Sequence, residues 1–466
     1  MPYVFYDTET TGTETAFDQI LQFAAIKTDD DFNELDRINV RCRLLPHIIP
    51  APGALRATGV TPDMLTDPSL PTHYEAIRQI RAKLLKWSPA TFIGFNSLGF
   101  DEDLLRQAFF QTLHPAYLTN TGGNGRSDAM RIAHAASIYA PASINVPTNE
   151  RGRETFRLEY LAPANGYNHD QAHEAMADVE ATIYMARLVR NREPAIWEAM
   201  DRATTKNAVK DYVASSAIFS LTERYYGRTY SWLVTRCGQN PNYDGQLAVF
   251  DLIHDPDGYR ALSAEKLVNV LNASPKVIRS LRANGQPIMM PAEVAPESVK
   301  ALAIPADELS RRIEVIQADT GFQERVGQAQ ALRFADKEPS AHVEERIYDG
   351  FPSSTDQELM AQFHDADWAD RIALAGALKD IRVQEFAWRL IYFERPDLLP
   401  ADKHAELDAW RTARVVADDQ AVPWMTVGKA LHETEGFLQN ATGDEAALLA
   451  AVKDFLDELA DDLGSA

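Results

Sequence analysis

Residues Val4–Thr13 read VFYDTETTGT, with two carboxylates, Asp7 and Glu9, two residues apart at the end of a short apolar run. In an extended strand, positions i and i+2 project from one face, so both acids point the same way. Two like charges held close are costly unless a cation neutralises them. Hard carboxylate oxygens suit Mg²⁺ or Mn²⁺. A solvated polar turn is the plainer alternative, and D-x-E is frequent by chance. In GFNSLGFDEDLL, an apolar strand ends in a polar turn containing Asn96 and Phe100, and Asp101 stands where a helix begins. An aspartate there is ordinarily an N-cap whose oxygen takes up free N–H groups. In NHDQAHEAMADVEAT, His173 precedes Asp178 by five residues, at or just before the start of a helix that carries the aspartate. An imidazole beside a metal cluster can take a proton from water, its ordinary pKa lying near neutrality. A surface histidine at a helix start is the plainer reading. Singly, the cap and the surface histidine explain their residues better. Together, D-x-E, N-x-x-x-F-D and H-x-x-x-x-D in that order form a specific combination.

These residues need a scaffold that brings a strand end, a turn and a helix start together. Within residues 1–195, YVFYD, QILQFAAIKTD, INVRCRLLP and TFIGFN read as strands. YEAIRQIRAKLLKW, DEDLLRQAFFQTL and HEAMADVEATIYMARLVRN place apolar residues at helical spacing. Strands and helices mixed in this order predict an α/β domain with a mixed sheet and flanking helices. Residues 196–345 read as a smaller β-rich domain, with TYSWLVTRCG, GQLAVFDLI and QPIMMPA separated by turns such as NPNYDG, and helical SAEKLVNVLN between them. Residues 346–466 read as helical, as in VQEFAWRLIYFERP and DEAALLAAVKDFLDELADDL.

Apolar residues make up 45% and aromatics 9% of 466 residues, which is globular composition and predicts more than one domain. Cys42 and Cys237 have no metal-ligand spacing, which fits a reduced compartment. No apolar run is long enough to span a membrane, and MPYVFYDTET lacks a signal-peptide pattern, so a cytoplasmic location is expected. The formal net charge of −22 argues against a general nucleic-acid surface. Its distribution matters more: residues 337–466 hold 12 basic against 27 acidic side chains, while residues 196–336 hold 16 against 17. Any nucleic-acid path is therefore local and salt-sensitive, and the last region is not a phosphate-binding surface.

The three motifs resemble those of the DEDDh exonucleases, whose four acidic residues and histidine stand in this order on an RNase H-like fold. The matching positions are Asp7, Glu9, Asp101, His173 and Asp178; the variant with tyrosine one position nearer the last aspartate is not met, since that position is Glu174. DQILQFAAIKTDDDFNELD, PAPGALRATGVTPDM and RLEYLAPANGYNHDQAHEAMADV are similar to the exonuclease I branch, and YSWLVTR, YDGFPSSTD and WRLIYFERPDLL extend the likeness into its SH3-like and helical regions.

The resemblance implies a 3′-to-5′ exonuclease that degrades single-stranded DNA to 5′-mononucleotides in DNA repair and recombination. It implies two Mg²⁺ ions, with Mn²⁺ as a substitute, ligated by Asp7, Glu9 and Asp178 and through water by Asp101, with His173 as general base. Glu9, Arg106, Arg131 and Arg157 are the expected substrate contacts, and TTGT is where the 3′-terminal nucleotide should rest. Lys276, Arg279 and Arg282 form a basic run that is either a solvated face or a DNA contact; Arg382 and Arg389 are single basic candidates in the acidic region. The family also implies a groove that surrounds the strand and docking of the acidic C-terminal tail of single-stranded-DNA-binding protein. A monomer is expected. An exoribonuclease with the same chemistry, and an inactive strand-binding scaffold, are the alternatives; the presence of all five site residues disfavours the scaffold.

Overall fold

In the computed structural model, which describes residues 1–169, 172–300, 304–333, 338–417 and 421–464, the strands Tyr3–Thr10 (β1), Ile20–Thr28 (β2) and Glu34–Arg41 (β3) pair antiparallel, and Thr91–Gly94 (β4) and Gly125–Asp128 (β5) add to the other side of β1 in parallel. The order β3-β2-β1-β4-β5 makes a mixed sheet, as expected. β3 begins earlier than INVRCRLLP suggested. Asp29 Oδ1 accepts from the backbone N–H groups of Asp31 and Asn33, closing a tight turn that lets pairing resume at Glu34.

Alternation along β1 sorts its side chains between two cores. Val4 and Tyr6 pack with Phe23 and Phe92 under the helices His73–Trp87 and Asp101–Gln111. Tyr3 and Phe5 pack with Ile26 and Ile93 under Ala129–Tyr139, Leu158–Ala164 and Ala175–Arg192. Each fully buried aromatic of this kind stabilises the fold by about 1.5–3 kcal/mol. Continuing the alternation, Asp7 and Glu9 emerge on the side of Phe5, facing the helix that carries Asp178, while Thr8 emerges on the side of the helix that carries Asp101.

The second sheet is antiparallel throughout, with Phe219–Tyr225 (β6), Arg228–Gln239 (β7), Gln246–Asp251 (β8), Ile278–Arg282 (β9) and Ile288–Pro291 (β10) in the order β10-β6-β7-β8-β9. Tyr226 and Gly227 both have positive φ (50° and 75°), the geometry of a two-residue hairpin turn that matches strand twist. The region holds more helix than its composition suggested: Ala264–Asn272, Ala306–Ala318 and Thr320–Leu332 cover one face through Leu267, Ile316, Phe322 and Val326. The helix Thr320–Leu332 approaches so closely that a Cβ on Gly327 would lie 2.2 Å from the Gln239 carbonyl oxygen.

From Ser354 onward the described residues are helical apart from connections. The helix Ile381–Glu394 packs on the helix Asp101–Gln111, which flanks the first sheet, with the Phe110 and Phe386 rings 5.1 Å apart edge to face. The last two helices, Val427–Leu438 and Gly443–Gly464, bring Val427, Val452 and Leu456 against Leu21, Leu55 and Leu65. At this junction the buried Glu344 carboxylate accepts from Arg389 and Arg414, each at 2.8 Å. Among the described residues no helix is long and apolar enough to cross a membrane.

Candidate active site

β1, by its alternation, delivers Asp7 and Glu9 to the start of the helix Ala175–Arg192, where Asp178 occupies the first turn. One carboxylate oxygen from each of Asp7, Glu9 and Asp178 lies within 4.8 Å of the others. The register of β1 against β2 shifts between Glu9 and Thr10; such a bulge ends regular pairing and re-aims a side chain.

Asp101 reaches the cluster from the opposite face. It does not cap its helix, whose N-cap is Phe100. Its Oδ1 instead accepts from the Thr8 backbone N–H (3.1 Å) and the Thr8 hydroxyl (2.6 Å), which ties the helix start to β1 between the two strand acids. The turn before it is held by Asp128, whose Oδ1 accepts from Asn96 N–H at 2.9 Å while Asn96 adopts a left-handed φ of 63°.

The electrostatics are those of crowded acids. Burial, then the carboxylates of Asp101, Asp178 and Glu9, hold Asp7 well above the ordinary aspartate range. Glu9 is pushed up to about 8, chiefly by burial and then by Asp178 and Asp101, against a smaller opposing pull from Arg41. Asp101 and Asp178 each rise to about 6, first through burial. Three crowded carboxylates, Glu9 buried and Asp7 and Asp178 half-buried, that repel one another and present only hard oxygens fit a divalent cation, whose charge offsets each repulsion.

His173 stands at the rim, 38% exposed, with Nε2 3.1 Å from Glu159 Oε2. Its φ of 68° is left-handed, a strained conformation for a residue with a Cβ. Arg157 is exposed, lies over the Tyr160 ring and pairs with Glu159 Oε1 at 2.9 Å. Arg131 is half-buried, with Nη1 3.5 Å from the Gln286 carbonyl oxygen. Arg106 sits differently from a free phosphate contact. It is 8% exposed, pairs with the buried Glu102 at 2.9 Å, and stacks over the Tyr117 ring. Glu102 also holds Arg126 at 3.1 Å and accepts from the Tyr6 and Thr119 hydroxyls. Arg106, Arg126, Arg131 and Arg282 line a groove of about 1030 Å³ together with Tyr243 and Tyr348.

The basic run of the middle region divides. Arg282 is exposed in the groove, whereas Arg279 is buried over the Trp232 ring and Lys276 donates to the Leu271 carbonyl. Arg382 and Arg389, expected as single contacts on the inner face of the helical region, are 5% and 8% exposed and are spent on Asp380 and on Glu344 with Glu385. Burying a guanidinium without a carboxylate is expensive, so the fold has paired them internally.

Three side chains escaped the sequence reading. His169 is 1% exposed and lies 2.8 Å from Asp178 Oδ1 through Nε2. Glu159 joins Arg157 to His173. Glu174 caps its helix by accepting from Ala177 N–H at 3.0 Å and takes the Gln22 amide at 2.6 Å. An H-x-x-x-H-x-x-x-x-D spacing for His169 and the R-x-E pair for Glu159 were visible, but neither spacing alone separates a site residue from a surface one.

Two family models match the chain: Exonuclease over residues 4–117 and Exonuclease I C-terminal domain over residues 341–459. Exodeoxyribonuclease I of Escherichia coli (strain K12) is 29% identical over 433 residues, covering 88% of this chain and 88% of that protein. The structure of E. coli exonuclease I in complex with a dA16 oligonucleotide superposes with a TM-score of 0.83 at 24% identity, covering 98% of this chain and 99% of the other. A structure described as SSB/Exonuclease I in complex with inhibitor CFAM gives a TM-score of 0.82 at 24% identity, with the same coverage. Asp7, Glu9 and Asp178 thus lie together on a fold shared with exonuclease I along nearly the whole chain, and the chain is similar in sequence to exodeoxyribonuclease I over 88% of its length.

Proposed function

We propose that this protein is a divalent-metal-dependent exonuclease that removes 5′-mononucleotides from the 3′ end of single-stranded DNA, in DNA repair and recombination. The observation that carries the reading is the convergence of Asp7, Glu9 and Asp178 within 4.8 Å, beside an Asp101 fixed by Thr8. The exodeoxyribonuclease I relative and the oligonucleotide-bound neighbour support the substrate.

Asp7, Glu9 and Asp178, with Asp101 beside them, would hold the pair of Mg²⁺ ions. When bound, such a pair lowers the pKa of a water and stabilises charge on attacking and leaving oxygens. The chain's own residues do the rest. His173 takes the proton of the attacking water. Glu9 and Arg157 meet the terminal nucleotide, beside the Thr11–Thr13 loop. Arg131 faces the strand further along, and Arg106, fixed by Glu102, offers it only an edge while shaping the groove wall. Arg282 and the tyrosines of the groove supply charge and stacking surface, the combination that holds a single strand without reading its sequence. A strand kept in such a groove stays at high effective concentration between cuts.

In this reading the exonuclease domain spans residues 1–195, an SH3-like accessory domain 196–345 and the helical domain 346–466. The enzyme works in the cytoplasm as a monomer, and the acidic tail of single-stranded-DNA-binding protein is a partner, a reading supported by the SSB/exonuclease I neighbour. A time course with matched 5′-labelled DNA and RNA oligonucleotides, with and without Mg²⁺, tests the substrate. Progressive shortening of DNA only with metal is expected; faster shortening of RNA would replace the reading with that of an exoribonuclease.

A further inference from the structure

Glu159 belongs to none of the three sequence motifs and is not one of the clustered carboxylates, yet it is the only described residue that an ion pair joins to both His173 and Arg157. Its position has a structural origin. The helix Leu158–Ala164 buries Leu158, Leu161 and Ala162 against the helix of Asp178, which fixes Glu159 beside the segment leading into that helix. Its carboxylate is 18% exposed, while the two partners that it joins are 38% and 66% exposed. The two oxygens are used separately, Oε2 for His173 Nε2 at 3.1 Å and Oε1 for Arg157 Nη2 at 2.9 Å. The histidine needs such a hold, because its backbone is left-handed at φ 68° and its side chain lies at the rim of the site.

We infer that Glu159 is a positioning residue for hydrolysis, holding the imidazole of His173 in one tautomer and one orientation and keeping Arg157 at the same edge of the site. The inference rests on the reading of His173 as the base. A carboxylate bonded to one ring nitrogen keeps the proton there and leaves the other nitrogen with its lone pair. In the step served, the O–H bond of the attacking water breaks and its proton passes to that free nitrogen. The water oxygen forms the new bond to the terminal phosphorus, and the bond from phosphorus to the 3′ oxygen of the shortened strand breaks. That oxygen keeps the electron pair and takes a proton from solvent, to which the imidazole returns its own. Arg157, on the other oxygen of Glu159, is placed to meet the terminal phosphate at the edge where the base acts.

The test is a double-mutant cycle on a 5′-labelled single strand with saturating Mg²⁺, reading kcat and KM separately for Glu159→Ala, Glu159→Gln, His173→Ala and the His173→Ala/Glu159→Ala pair. Glu159→Ala is expected to lower kcat about 10- to 100-fold, the range seen when an orienting partner is removed, with KM changed less than threefold. Glu159→Gln should fall between, because its amide oxygen still accepts the ring N–H without the charge; this near-isosteric variant also keeps the test valid if the alanine variant folds poorly. The pair should be no slower than His173→Ala, since a residue acting through the base has nothing left to act on. If the pair is slower than His173→Ala by the full Glu159→Ala factor, or if Glu159→Ala changes KM alone, the positioning role is overturned while the base stands. If His173→Ala itself keeps the parent rate, the reading of the base falls, and the positioning role with it.

Discussion

Glu9→Gln should make the metal-free protein more stable while abolishing turnover, because the site concentrates carboxylate repulsion that only a cation relieves. The Glu9 carboxyl rises from 4.5 to about 8, chiefly through burial and then through Asp178 and Asp101. A carboxylate whose folded pKa is raised gives stability that is fully present below its unfolded pKa and is lost as pH climbs to the folded value. For Glu9 that window runs from 4.5 to about 8. At pH 7.5 the accumulated cost reaches about 4 kcal/mol, an upper figure because neighbouring acids share the protons. At pH 5 it is below about 1 kcal/mol. At roughly 2 cal/mol/K of unfolding entropy per residue, 4 kcal/mol corresponds to about 4 °C in Tm for the whole chain melting as one unit, and more if the exonuclease domain melts alone. Scanning calorimetry in chelator at pH 7.5 and pH 5 measures it. The variant should melt above the parent at pH 7.5 and close to it at pH 5, and Mg²⁺ should raise its Tm less than the parent's. A variant that melts below the parent at pH 7.5, or by the same offset at both pH values, would refute the reasoning.

Thr8→Val removes the 2.6 Å hydroxyl bond to Asp101 while keeping size and β-branching. A hydrogen bond to a charged group is worth about 1.5–3 kcal/mol, so kcat should fall about tenfold or more with strand affinity intact; a kcat within twofold of the parent would contradict the role given to Thr8. Glu344→Ala leaves Arg389 and Arg414 facing each other in the interior, each having lost a 2.8 Å partner. That should cost about 3–5 kcal/mol in urea unfolding, and a loss under 1 kcal/mol would show that the junction is not held by this triad. Affinity for an oligothymidine should fall steeply with salt, with a log–log slope near −3 if about four to five phosphates are neutralised; a flat response in a binding titration would rule out arginine-lined groove binding.

The strand end was legible because β1 alternates cleanly between two cores, so Asp7 and Glu9 inherit the face of Phe5. The helix start at Asp178 was legible from the periodicity that follows it. The anchoring of Asp101 was not, since on its own a carboxylate at a helix start reads as a cap, and only the proximity of Thr8, 93 residues earlier, shows that it turns to β1 instead. Strand β5 was missed because its four residues, Gly125–Asp128, carry no apolar alternation. Its Arg126 is held by Glu102 rather than by an apolar contact. The helices Ala306–Ala318 and Thr320–Leu332 were missed because turn signals and strands dominated the reading of that region. Arginines were the hardest case. Sequence shows their charge but not their partners, and burial beside Glu102, Asp251, Asp380 and Glu344 had already claimed Arg106, Arg279, Arg382 and Arg389.

The central claim is that the Asp7–Glu9–Asp178 cluster, with Asp101 beside it, performs metal-dependent cleavage while the groove holds the strand. Asp7→Ala tested side by side with the parent, for release of mononucleotides and for binding of an oligothymidine, addresses it most directly. The account predicts that release is abolished with Mg²⁺ present and that strand affinity stays within about threefold, because most strand contacts lie outside the cluster. Mononucleotide release near the parent rate by Asp7→Ala would contradict it.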